Sequence, residues 1–170
     1  VAVMVFLFAL DRPNYLWLRR RLVALTSVAL VVHLVYPLAP PRLVGASGMV
    51  DTLREFGPEI YGQGSMLSRL ANPYAAMPSL HFGFAVLIAW ALARSDRFPG
   101  RRVLTLHPTL MLIAIVATGN HYWLDAAVCA LLLVVVELGF SLVDESSTRR
   151  GMLSFRRRVR PVTAAPTFRS

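Results

Sequence analysis

Four continuous apolar runs, at residues 22–39, 79–93, 103–119 and 124–143, dominate this chain. Each is close to the ~17–25 residues that an α-helix needs to cross ~30 Å of hydrocarbon. Inside lipid, backbone N–H and C=O groups must be satisfied within a helix or a closed barrel. A spanning β-barrel reads as short segments that alternate apolar and polar, and these runs do not alternate. The expected fold is therefore all-α, a polytopic transmembrane helical bundle. Residues 1–10 read as the end of a further span, giving about five spans here. A full protein would then have six, with this chain its N-terminally truncated part. A signal peptide is the competing reading, but no basic segment precedes the run and no small-residue cleavage site follows it. Hydrophobic residues make up 56% of the 170, more than a soluble domain of this size ordinarily carries.

The net charge of +9 comes entirely from arginine, since the chain has no lysine. Such a charge can signal a nucleic-acid partner, so its placement decides the matter. Arg12, Arg19, Arg20 and Arg21 precede the run at 22–39, and Arg94, Arg97, Arg101 and Arg102 separate the next two. Seven more lie in the tail, whereas the long loop 40–78 holds only Arg42, Arg54 and Arg69. Alternate connections thus carry fifteen and three arginines, which is the positive-inside pattern. The charge is read as topology, with no nucleic-acid partner. The Arg-rich loops are cytoplasmic, and 40–78 and the turn 119–123 face the other side of what is expected to be the plasma membrane. Residues 1–143 form the membrane domain. Residues 144–170 form a cytoplasmic tail, expected to be disordered and suited to anionic headgroups. The single Cys129 lies within a run and reads as a small apolar packing residue.

The loop 40–78 contains Leu53, Phe56, Ile60 and Tyr61 at helical spacing, with Asp51, Arg54, Glu55 and Glu59 on the other faces. This reads as an amphipathic helix on the membrane surface, serving as a lid or as a spacer. Trp17, Trp90 and Trp123 fall near the expected interfaces as belt residues. His33 and Glu137 lie within spans, where ionisable groups attract functional suspicion.

Two polar motifs sit at the mouths of apolar runs. In His121-Tyr122-Trp123-Leu124-Asp125, the i, i+4 spacing at a helix start lets Asp125 orient the His121 imidazole. That leaves the other ring nitrogen as a nucleophile; a solvent-facing helix cap would carry the same pair. In Pro78-Ser79-Leu80-His81, Pro and Ser suit a helix N-terminus, whose free N–H groups favour an anion. Ser79 could bind phosphate and His81 could protonate a departing alcohol; an ordinary cap with an interfacial His is the plainer reading. The charge argument used neither motif, yet it puts both on one side of the membrane. The chemistry they share is phosphoryl transfer on lipid substrates.

These motifs resemble those of the type-2 phosphatidic acid phosphatase superfamily, six-helix membrane enzymes that transfer phosphoryl groups without a metal. The resemblance implies phosphate binding by Ser79, general-acid action by His81, nucleophilic attack by His121 and orientation by Asp125. Pro-Ser-Leu-His, the His-Tyr pair and Ala39-Pro40-Pro41-Arg42 look closer to the inositolphosphotransferase (inositol phosphorylceramide synthase-like) branch. No metal or other cofactor is implied. The chain departs from the phosphatases where they carry a Ser-Arg pair, with Ala114 and Ile115 at the matching positions. Arg42 and Arg69, the cations nearest the motifs on the outer side, are the candidates to neutralise phosphate; snorkelling to headgroups is the alternative for both. The function expected is a lipid phosphotransferase using a covalent histidine intermediate. A lipid phosphate phosphatase with water as acceptor and a silent membrane scaffold are the rivals, and a transporter is a weaker one.

Overall fold

The computed structural model describes residues 1–45, 48, 55, 74–96 and 106–158, with side chains described through residue 146. Its elements are helical: α1 (Ala2–Leu10), α2 (Arg12–Val35), a 3-10 turn at Pro41–Leu43, α3 (Leu80–Arg94), α4 (Leu106–Ala117) and α5 (Trp123–Arg158). The only β pairing among the described residues is a parallel bridge between Leu38 and Ala75. Leu38 N–H donates to Tyr74 O at 2.7 Å and Ala76 N–H to Leu38 O at 3.2 Å. This bridge ties the segment after α2 to the segment before α3.

Local sequence sets the helix boundaries. Asp11 caps α2, its carboxylate accepting from the backbone and side chain of Asn14, with Pro13 in the first turn. Asp11 also accepts from Ser95 Oγ at 2.7 Å, which joins the start of α2 to the end of α3. Ser79 caps α3 through Phe82 N–H. After α4 the chain reverses through Gly119 at φ +65°, a left-handed conformation that glycine adopts without a Cβ penalty.

The chain divides into two compact units, Val1–Val136 and Glu137–Ser170. In the first, α1 packs on α2, α2 on α3 and α3 on α4. Leu7, Leu18, Leu25, Leu87, Leu92 and Cys129 form the centre of the core. Gly83 marks its tightest point. A Cβ there would meet Cys129 Sγ at 2.6 Å and Leu25 Cδ2 at 2.7 Å, so the absent side chain lets α2 and α5 close on the first turn of α3. At the other end of α3, Trp17 and Trp90 meet edge to face at 5.1 Å, and the guanidinium groups of Arg21 and Arg94 lie over Trp17.

The helices differ from the apolar runs in three ways. First, α2 starts at Arg12, so Arg19, Arg20 and Arg21 belong to a helix and not to a loop. Second, one helix among the described residues, Trp123–Ser146, is long and apolar enough to cross a membrane; α3 and α4 are apolar but shorter. Third, α5 continues to Arg158, beyond the span end expected at Val143 and into the tail expected to be disordered. The amphipathic segment around Leu53–Tyr61 (Glu55 apart) and Arg69 lie outside the described residues.

Candidate active site

The site is built where three chain segments of the first unit converge: the N-terminus of α3, the turn between α4 and α5, and the 3-10 turn after α2. His121 lies just before α5, not on it. The last turn of α4 sets its backbone, with Ile115 O accepting from Asn120 N–H at 3.0 Å and His121 N–H at 3.1 Å. Asp125, in the first turn of α5, reaches back to accept from Tyr122 N–H at 2.8 Å, the reciprocal half of a capping box. That cap brings Asp125 Oδ2 to 3.3 Å from His121 Nδ1. The His–Asp pair expected from the i, i+4 spacing is formed, but a capping turn forms it in place of a shared helical face.

His121 Nδ1 also lies 2.7 Å from Ala76 O. A carbonyl can only accept, so Nδ1 carries the proton, and in the neutral ring Nε2 then holds the lone pair. The Ala76 carbonyl is the closer of the two partners, and it carries no sequence signal because any residue could supply that group. Nε2 faces His81 Nδ1 at 3.4 Å, and the two rings meet at 62°. Both His121 and Asp125 are buried, and Asp125 Oδ1 makes no hydrogen bond among the described residues. The starts of α3 and α5 are joined directly, Ser79 N–H donating to Asp125 O at 3.1 Å.

A cavity of about 360 Å³ opens beside this pair and is lined by His81, His121, His33, Arg42 and Asn120, among others. Arg42 stands on the 3-10 turn that Pro41 opens, and its N–H donates to Gly119 O at 3.0 Å. Its Nη1 donates to Asn120 Oδ1. His33, in the last turn of α2, places Nε2 3.3 Å from Pro78 O. Of the residues singled out from sequence, His121, His81, Asp125 and Arg42 are thus brought together. Ser79 is fully buried with its Oγ 3.5 Å from Phe82 N, and it is not among the cavity's lining residues. Asn120 was missed, although it adjoins His121. From sequence, His33 reads only as an ionisable residue within a span.

The arrangement can present an unprotonated imidazole nitrogen, a second imidazole within reach of it, and a guanidinium to one anionic group. Among the described residues no cluster of three or more His, Cys, Asp or Glu side chains is arranged to hold a metal ion. Comparison with curated proteins and with solved structures gives no match. Comparison with protein families gives a match to the PAP2 superfamily over residues 1–138, a stretch that holds every residue of the site. The chain belongs to the PAP2 superfamily, a group of phosphatases and phosphotransferases.

Proposed function

We propose that this protein is an integral membrane lipid phosphotransferase that works through a covalent intermediate on His121, without a metal. One observation carries the reading. The two acceptors at Nδ1, Ala76 O and Asp125 Oδ2, leave the Nε2 lone pair facing His81 in a cavity that Arg42 also lines. In the first step Nε2 attacks phosphorus in a lipid phosphodiester or phosphomonoester. The bond to the leaving oxygen breaks, and that oxygen takes a proton from His81. The His81–His121 contact opens as the phosphoryl group enters between the rings. In the second step an acceptor hydroxyl gives its proton to His81 and attacks phosphorus, breaking the P–N bond. Arg42 and the N-terminal amides of α3 hold the developing charge. Ser79 contributes by capping Phe82 N–H, and its hydroxyl reaches phosphate only by turning out of the cap. Arg69 remains a candidate second cation.

The membrane reading rests on the long apolar stretch Trp123–Ser146 and on apolar side chains left exposed on neighbouring helices. Val23, Leu30, Val31 and Leu34 of α2, and Leu110 and Ile113 of α4, are among them. Exposed apolar surface of this extent fits a lipid contact. We read the helices as a polytopic bundle with the cavity on the extracytoplasmic side of the plasma membrane. Within the superfamily we favour the inositolphosphotransferase-like branch, on Pro-Ser-Leu-His, His-Tyr and the Pro-Pro-Arg turn.

The experiment follows a lipid donor, labelled in its phosphate headgroup, through membranes holding the wild type or His121→Ala. Label arriving on a new lipid, and lost in the variant, is the expected result. Release as inorganic phosphate would assign water as the acceptor and a phosphatase. Turnover that survives His121→Ala would overturn the mechanism.

A further inference from the structure

Position 115, where the family's phosphatases carry an arginine, holds a buried isoleucine whose carbonyl supports the backbone of Asn120 and His121. The cation that lines the cavity with the nucleophile is instead Arg42, 78 residues before Asn120 in sequence. A cation imported from another segment must be held in place, because an arginine side chain carries roughly 2 kcal/mol of rotamer entropy. The structure shows a relay that does so. Thr118 Oγ1 donates to Ala114 O at 2.7 Å. Its oxygen then accepts from Asn120 Nδ2 at 2.6 Å. Asn120 Oδ1 in turn accepts from Arg42 Nη1. Each donor and acceptor in this series has one consistent role, so the amide orientation of Asn120 follows from its neighbours and not from a choice between two near-identical atoms. The backbone adds a second tie, from Arg42 N–H to Gly119 O.

We infer that Asn120 is a positioning residue that holds the Arg42 guanidinium over the cavity as its phosphate-binding group, in place of the arginine missing upstream of His121. This rests on the reading above for the identity of the site. The anion site itself can be tested without turnover. Asn120 leaves the guanidinium fully charged, because a neutral amide accepts the hydrogen bond without cancelling the charge. A carboxylate at that position would keep the contact and neutralise the cation. The arrangement therefore needs an amide at 120, adjacent to the nucleophile, and the same turn orients both groups.

The test uses the full chain in detergent and measures the rise in unfolding temperature on adding orthovanadate, a phosphate mimic. Titration of that rise gives a Kd for the wild type, Asn120→Ala, Asn120→Asp, Arg42→Ala and the double variant Arg42→Ala/Asn120→Ala. A hydrogen bond to a charged group is lost in Asn120→Ala, so its Kd is expected to rise by about tenfold or more. Asn120→Asp should weaken binding as well, although it keeps a partner for Arg42. The double variant should bind no worse than Arg42→Ala alone, because Asn120 acts through the arginine. Should Asn120→Ala lack a cooperative unfolding transition, Thr118→Val, which cuts the relay one step back, is expected to weaken binding in the same direction. Wild-type affinity in Asn120→Ala or Asn120→Asp, or losses that add in the double variant, would overturn the role of Asn120. Absence of any vanadate effect on the wild type would overturn the anion site. His121-dependent turnover is measured on the same preparations. If it fails while the vanadate pattern holds, the function is wrong and the positioning role stands.

Discussion

At the scale of single residues, the orientation of His121 is shared unequally between two acceptors. Ala76 O lies 2.7 Å from Nδ1 and Asp125 Oδ2 lies 3.3 Å away. Where a carboxylate is the only acceptor, replacing it with an amide lets the imidazole adopt the wrong tautomer. Here the carbonyl still requires a proton on Nδ1 after such a change. Asp125→Asn should therefore keep the nucleophile's tautomer and lose only the charge assistance to the cationic intermediate. A charged hydrogen bond is worth ~1.5–3 kcal/mol, so its rate should fall roughly 10- to 100-fold. His121→Ala should abolish turnover. Initial rates on matched amounts of the two variants check this; equal losses would show that the carboxylate alone sets the tautomer.

At the scale of elements, the sequence motifs mark where helices begin, and the fold uses those beginnings to build the site. Pro78-Ser79 opens α3 and Tyr122 precedes α5, so each motif histidine sits at a helix start. This much was legible, since capping residues and apolar runs act locally. Asn120, His33 and the Ala76 carbonyl were not legible as partners, because their roles depend on a parallel bridge and a 3-10 turn that carry no periodic signal. Gly83 has the same character. It reads as a helix-weakening residue, yet it makes room for Leu25 and Cys129 two residues after His81. Gly83→Ala gains helix propensity on the order of 1 kcal/mol. The added methyl must displace two buried side chains, an overpacking cost of about 1–3 kcal/mol. The expected outcome is a lower unfolding temperature in detergent with reduced turnover. An unfolding temperature above the wild type would show that the core yields easily at this point.

For the whole molecule, the proposed topology rests on charge and hydropathy, while the helices carry the detail. The four apolar runs correspond to helices or parts of helices, but their ends do not match. α2 includes three consecutive arginines, and α5 continues well beyond its apolar stretch. Run length counts residues that lipid tolerates, whereas hydrogen bonding continues a helix for as long as capping and packing allow. The arginine distribution makes a separate prediction about sidedness. Cys129, the only cysteine, is buried and gives a low background for labelling. In closed vesicles of known orientation, a membrane-impermeant thiol reagent should label Tyr122→Cys from the extracytoplasmic face and Asp96→Cys only from the cytoplasmic face. Both native side chains are exposed. Labelling of both positions from one face would contradict the proposed topology.

Stopping the reaction early would reveal whether His121 carries phosphorus covalently between donor and acceptor. Full-length protein is mixed with a phosphate-labelled lipid donor, quenched within a turnover under alkaline conditions that preserve P–N bonds, and digested for mass spectrometry. Label is expected on the peptide containing His121, at Nε2, absent in His121→Ala and lost when acceptor is added. Steady turnover with no labelled histidine, or with label on another residue, would rule out the covalent step at His121.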